Sequence, residues 1–170
     1  MNQLFSDFSC PPQHDVKRFL TNSAIRFERE DKARSYLILD DDNGDLLGYF
    51  SITFKEITYP SEAVSNTANK RLGAVTDAEV DDKVRVRAYL IGQLAKNKAI
   101  EGNQINLEII LSEIYGVINE ARELIGGRAV ILECAQDDNL VALYERHGFK
   151  KIEMPPNHNG DITMYIVIRD

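Results

Sequence analysis

The chain has 170 residues, 44% of them apolar and 28% charged, with a net charge of −7. This length buries a full core, and the composition is that of an ordinary soluble domain. No run of 18 apolar residues offers a membrane span, and the acidic total argues against generic binding to nucleic acid, which needs clustered Lys and Arg. Cys10 and Cys134 make no disulfide framework. The opening Met-Asn-Gln-Leu-Phe-Ser-Asp has no basic region followed by an apolar stretch, so no signal peptide is expected. Together these features predict one domain over residues 1–170, in the cytoplasm, with no membrane partner.

Residues 1–13 read as an irregular lead-in ending at Pro11-Pro12. From His14 onward Val16, Phe19, Leu20, Ala24 and Phe27 recur at helical spacing, and Thr21-Asn22-Ser23 divides the stretch into two short helices. Glu28 to Lys32 is a solvated charge run, or an acidic rim for a basic substrate. Ser35 to Asp40 is a strand, and Asn43-Gly44 within Asp40–Asp45 is a hairpin turn. Three aspartates there lack the spacing of a calcium loop, so no metal is expected. Leu46 to Ile57 is the return strand. Residues 58–83 show no clear period, apart from a short helix over Ser65–Leu72 and an acidic run, Asp77-Ala-Glu-Val-Asp-Asp82.

Val84 to Lys96 is a buried strand. Leu107, Ile110, Leu111, Ile114, Val117, Ile118, Ala121 and Leu124 form a wide apolar stripe on one long helix, which Gly126-Gly127 ends. Arg128 to Cys134 returns as a strand parallel to the one before the helix. Asp137, Asp138 and Asn139 offer N-caps to a short helix bearing Leu140, Leu143 and Tyr144 on one face, and Gly148 stops it. Lys150 to Glu153 and Asp161 to Ile168 read as the last two strands, joined by a loop over 154–160. Cys134 reads as a small buried hydrophobe, and His147 and His158 as surface residues.

The run Leu143-Tyr-Glu-Arg-His-Gly-Phe149, after a strand carrying Leu132-Glu133, resembles the C-terminal motif of the GNAT superfamily of acyl-CoA-dependent N-acyltransferases. The resemblance implies an α/β (α+β) fold with a mixed, mostly antiparallel sheet of about six or seven strands, flanked by helices and containing a splayed strand pair. It implies acetyl-CoA as co-substrate. Backbone groups of Gln93, Leu94 and Ala95 would pair with the pantetheine arm as an added strand does. Tyr144 would donate a proton to the departing thiolate, and Glu133 would serve as base, directly or through water. Each has a plainer reading: Tyr144 as a core aromatic, Glu133 as a surface or Arg128-paired carboxylate. Glu56 is an outside candidate for the base. Asp137 stands near the place of a CoA-contacting Asn, or only caps its helix.

The phosphate loop departs from the family pattern. Glu101, Gln104 and Asn106 fall where the family has Gln/Arg, Gly and Gly or Ala. Small residues there let consecutive backbone N–H groups at a helix N-terminus cradle a pyrophosphate. Gly102 remains, and the segment Gly102-Asn103-Gln104-Ile105-Asn106, with Lys96 and Lys98 nearby, could hold the anion through side-chain amides.

The leading expectation is transfer of an acetyl group from acetyl-CoA to a small-molecule or protein amine by direct attack in a ternary complex, by a monomer or homodimer for which nucleic acid is an unlikely partner. Two alternatives stand beside it. One is a non-catalytic GNAT-fold module with weakened CoA binding. The other is a toxin-like acetyltransferase of aminoacyl-tRNA, suggested by Leu90-Ile-Gly-Gln-Leu-Ala95.

Overall fold

The structure is a computed structural model and describes residues 2–11, 14–76 and 82–168. A seven-stranded sheet runs in the order β1-β2-β4-β5-β7-β6, with β3 paired to β4 off that path. The strands are β1 (Arg34–Leu39), β2 (Leu46–Pro60), β3 (Val75–Thr76), β4 (Lys83–Lys96), β5 (Ala129–Cys134), β6 (Lys150–Lys151) and β7 (Ile162–Val167). By contacts the chain divides into two compact units, Met1–Thr53 with Ile91–Asn119, and Phe54–Leu90 with Glu120–Asp170.

The first unit holds α1 (Asn2–Ser6), α2 (His14–Asn22), α3 (Ala24–Arg29), β1 and most of α5 (Leu107–Ile125). The lead-in, expected to be irregular, is partly helical. It contains α1, and Phe5, Phe8 and Cys10 bury themselves with Leu20, Ala24, Leu46, Tyr49 and Ala95. Two aromatics separated by one turn are enough to pin so short a segment: Phe8 meets the edge of Tyr49 at 5.5 Å, and the Tyr49 hydroxyl donates to the Val16 carbonyl at 2.6 Å. The break between α2 and α3 falls at Ser23, as the sequence indicates. β1 and β2 pair antiparallel from Arg34↔Ile52 to Leu39↔Leu46, with a bulge between Ile38 and Leu39. In their turn the Asp40 carboxylate accepts from the N–H groups of Asp42 and Asn43. On α5, Ile110, Leu111, Ile114 and Ile118 are buried.

The second unit holds α4 (Asn66–Leu72), β3, β5, α6 (Asp138–Arg146), β6 and β7. The connection expected over 58–83 carries more structure than its sequence shows. β2 continues to Pro60, a 3-10 turn spans Ser61–Ala63, and the Ser65 hydroxyl caps α4 at the Ala68 N–H. Asn69, buried, accepts from the Tyr59 hydroxyl at 3.0 Å and donates to the Ser61 and Val64 carbonyls. That network satisfies a turn that lacks regular pairing. Asp77 to Asp81, the bulk of the expected acidic run, lie outside the described residues. The last turn of α5 also belongs here, and Leu124, expected in the buried stripe, is 85% exposed. The helix ends immediately after it, with the Gly126 N–H on the Arg122 carbonyl.

β5 pairs antiparallel with β7, from Ala129↔Val167 to Cys134↔Ile162. β6 is two residues rather than four, because Glu153 turns its N–H to the Ala63 carbonyl and Met154 to Ile152. The core of this unit gathers Ile57, Tyr59, Val84, Val86, Ala88, Ala129, Ile131 and Tyr165.

Candidate active site

In the second unit the motif of residues 143–149 folds as its residue types require. Asp137 accepts from the Leu140 N–H at 2.9 Å and so caps α6. Gly148 takes φ +88°, a left-handed conformation that costs glycine little and other residues more. This ends the helix and lets Phe149 fold back against Tyr144, edge to face at 5.9 Å. Tyr144 is buried, near Cys134, and burial first, then that neighbour, pushes its hydroxyl up to about 12. The Cys134 thiol is also pushed up, to about 11, chiefly by burial. Cys134 is therefore the inert core residue its strand position suggests, with Met164 as a sulfur neighbour at 4.0 Å.

Glu133 does not pair with Arg128. Its Oε1 accepts from the Lys55 ammonium at 2.7 Å, in a half-buried ion pair that reaches from β5 to β2. Side chains alternate along a strand, so Glu133 lies on the face of Ile131 and Ala129, opposite Cys134. Thr163, its register partner on β7, buries a hydroxyl that has no hydrogen-bond partner among the described residues. Glu56, the outside candidate, lies beside Arg87 at 3.2 Å and Arg85 at 3.9 Å.

The first unit holds the other predicted residues. Gln93, near the end of β4, buries its side-chain oxygen without a partner among the described residues, while Leu94 is half-buried and Ala95 buried. After β4, Asn97 and Asn103 fasten the loop. Asn97 is buried, donates to the Leu46 carbonyl, and accepts from the N–H groups of Ser9 and Ala99. Asn103 donates to the Leu47 and Asn97 carbonyls at 2.8 and 2.9 Å, and accepts from the Ile105 N–H. Ile105 is buried, and Gly102 takes φ +70°.

The amides that sequence offers as phosphate donors are thus employed inside the loop. Both Asn103 donor contacts are to carbonyls, and the Gln104 amide donates to Gly102 at 2.6 Å. The Asn106 oxygen accepts from the Ile109 N–H at 3.0 Å and so caps α5. Lys96 and Lys98 donate to the carbonyls of Asn103 and Pro11, both at 2.7 Å. Glu108 stands in the first turn of α5, where the helix dipole favours an anion. Sequence reading missed this carboxylate, although it lies two residues past the altered motif.

No protein-family model and no curated protein matches the chain. Solved structures do. AtaT complexed with acetyl-methionyl-tRNAfMet aligns with a TM-score of 0.69 at 18% identity, over 96% of this chain and 86% of that one. The chain has the fold of AtaT. A mutant of KacT gives 0.68 at 20% identity over 95% and 86% of the two chains, and AtaTR bound with AcCoA gives 0.64 at 17% over 94% and 84%. That fold, a mixed sheet flanked by helices, is the one the GNAT resemblance implies. One expectation is corrected. Net charge made nucleic acid an unlikely partner, yet a protein of this fold is seen holding a tRNA. A total of −7 sums over the whole surface and says nothing of one basic face.

Proposed function

We propose that this chain is a toxin-like N-acetyltransferase that moves an acetyl group from acetyl-CoA to the α-amine of an aminoacyl-tRNA. The observation that carries the reading is the fit of 96% of the chain to AtaT complexed with acetyl-methionyl-tRNAfMet, together with Tyr144 held on α6 by Phe149 and beside Cys134. AtaTR bound with AcCoA supports the same acetyl donor.

The amine nitrogen attacks the thioester carbonyl carbon, the new N–C bond forms, and the C–S bond breaks. The leaving sulfur takes the Tyr144 hydroxyl proton as it gains charge, and solvent returns a proton to the tyrosinate. The proton that the amine loses passes to water, and Glu133, oriented by Lys55 on the opposite face of β5, takes it from that water and returns it to solvent. An α-amine suits this arrangement, because it ionises near about 8 rather than near about 10.4 as a lysine does. Little basicity is then needed to supply it neutral. The Gln93 oxygen and the adjoining backbone of Leu94 and Ala95 support a role in holding the pantetheine, since a buried acceptor with no partner suits an N–H from the donor.

Competition between acceptors tests the reading. Equal concentrations of mixed aminoacyl-tRNA, free amino acids and a lysine peptide are offered with radiolabelled acetyl-CoA. Label is expected in the aminoacyl-tRNA fraction, and preference for either of the other two would contradict the assignment.

A further inference from the structure

Within the second unit, β2 and β4 present one exposed row that the proposed chemistry does not use. Along β4 the buried residues Val84, Val86 and Ala88 alternate with exposed Arg85 and Arg87. Beside them on β2 stand Glu56 and Phe54. Arg85, Arg87 and Glu56 line a cleft of about 470 Å³ with Arg128, Gly73 and Gly127. Three guanidinium groups thus converge on one concavity of a chain whose net charge is −7. Glu56 is the acid on that lining, 3.2 Å from Arg87 and 3.9 Å from Arg85. Both contacts are largely exposed, with Arg87 87% accessible, so solvent screens them and an incoming anion can replace them.

The row continues into an aromatic surface. Phe54 is 54% exposed, and its ring lies 4.6 Å from Tyr89, whose hydroxyl donates to the Gly126 carbonyl. Tyr89 is thereby fixed and backs an exposed ring. A rigid aromatic beside a row of arginines is the combination that holds nucleic-acid strands: guanidinium on phosphate, ring on base.

We infer that Arg85, Arg87 and Arg128, with Phe54, form a binding site for the phosphodiester backbone of RNA, in which the Glu56 carboxylate occupies the place a phosphate takes. This rests on the aminoacyl-tRNA reading and adds a second contact to it. The cleft opens at the start of β5, whereas Cys134, the neighbour of Tyr144, ends that strand, about 20 Å away at ~3.3 Å per residue. A small amine cannot span that distance, but an RNA acceptor end can.

The test measures anisotropy of fluorescein-labelled deacylated tRNA against the full chain over a range of salt. R87A and R128A should each weaken binding fivefold or more and lower the salt slope by about one. R87K should keep the slope, F54A should weaken binding with the slope intact, and E56Q should tighten binding at least twofold. The gain with E56Q cannot come from misfolding. Unchanged tRNA affinity in R87A, R128A and E56Q would overturn the inference. So would variants that alter self-association by sedimentation while leaving tRNA affinity as it was. Acetylation of an aminoacylated adenosine, too short to reach the cleft, reads the chemistry apart from this site. If R87A acetylates it as wild type does, the catalytic reading holds whichever way the tRNA measurement falls.

Discussion

Burial carries the Tyr144 hydroxyl to about 12, so the group is protonated at any pH where the protein works. In the acetyl transfer proposed above, so weak an acid would give its proton only to a sulfur that is becoming a thiolate, which would tie the proton transfer to C–S cleavage. Glu133 and Lys55 are a residue-scale lesson of another kind. The carboxylate was legible from Leu132-Glu133 before the motif, but its partner lies 78 residues earlier, on β2, and no local pattern announces it. Gly48 has a purely steric role. A methyl there would stand 2.6 Å from Ile105 Cδ1 and 2.8 Å from the Ala95 carbonyl oxygen. The isoleucine tip can move, but the backbone oxygen belongs to β4 and cannot. G48A is expected to cost about 1–3 kcal/mol, as overpacking does. A urea midpoint equal to wild type would show that β4 gives way at Ala95.

At the scale of elements, the loop from Asn97 to Asn106 shows what replaced the missing glycines. A glycine-rich loop leaves its N–H groups to the ligand. This one is held rigid by Asn97 and Asn103 and is capped by Asn106, with Glu101 exposed in the loop and Glu108 in the first helical turn. The departure from the family pattern could be read from sequence, but its consequence required seeing where each amide donates. Two carboxylates near the α5 N-terminus would repel a pyrophosphate placed there, and so weaken the acetyl-CoA binding proposed above. The double substitution E101Q/E108Q should lower the calorimetric Kd for acetyl-CoA severalfold at low salt, with the gain fading as salt rises. No change would mean that the anion is held elsewhere. α6, by contrast, was legible almost residue for residue, because its cap, apolar face and glycine stop lie within twelve positions, Asp137 to Gly148. The short α1 was not, since its burial is decided by Tyr49.

At the scale of the whole molecule, the sheet was readable apart from the two-residue β3, because the other strands announce themselves by alternation, an apolar run or a turn. The arginine row was not. Its members come from β4 and from the residue before β5, 41 positions after Arg87, each between small or apolar neighbours, and they meet only in three dimensions. Buried tyrosines give the chain a common alkaline limit. Tyr59, Tyr115 and Tyr144 are each pushed up to about 12 by burial, and Tyr49 further still. In the unfolded chain they ionise near about 10, so above that pH the unfolded state has lost protons that the native state keeps. Stability from these groups is therefore complete below about pH 10 and is lost as pH rises toward 12. The urea midpoint should be level from pH 8 to 9.5 and fall steeply by pH 11. A midpoint that stays level to pH 11 would mean that these hydroxyls ionise in the folded protein.

The central claim is tested most directly by incubating aminoacyl-tRNA with acetyl-CoA and weighing the amino acid released by mild hydrolysis. A gain of one acetyl group is expected with the wild-type chain, and a rate at least about 100-fold lower with Y144F, the usual scale for loss of a general acid. An unmodified amino acid, or Y144F acting as fast as wild type, would contradict it.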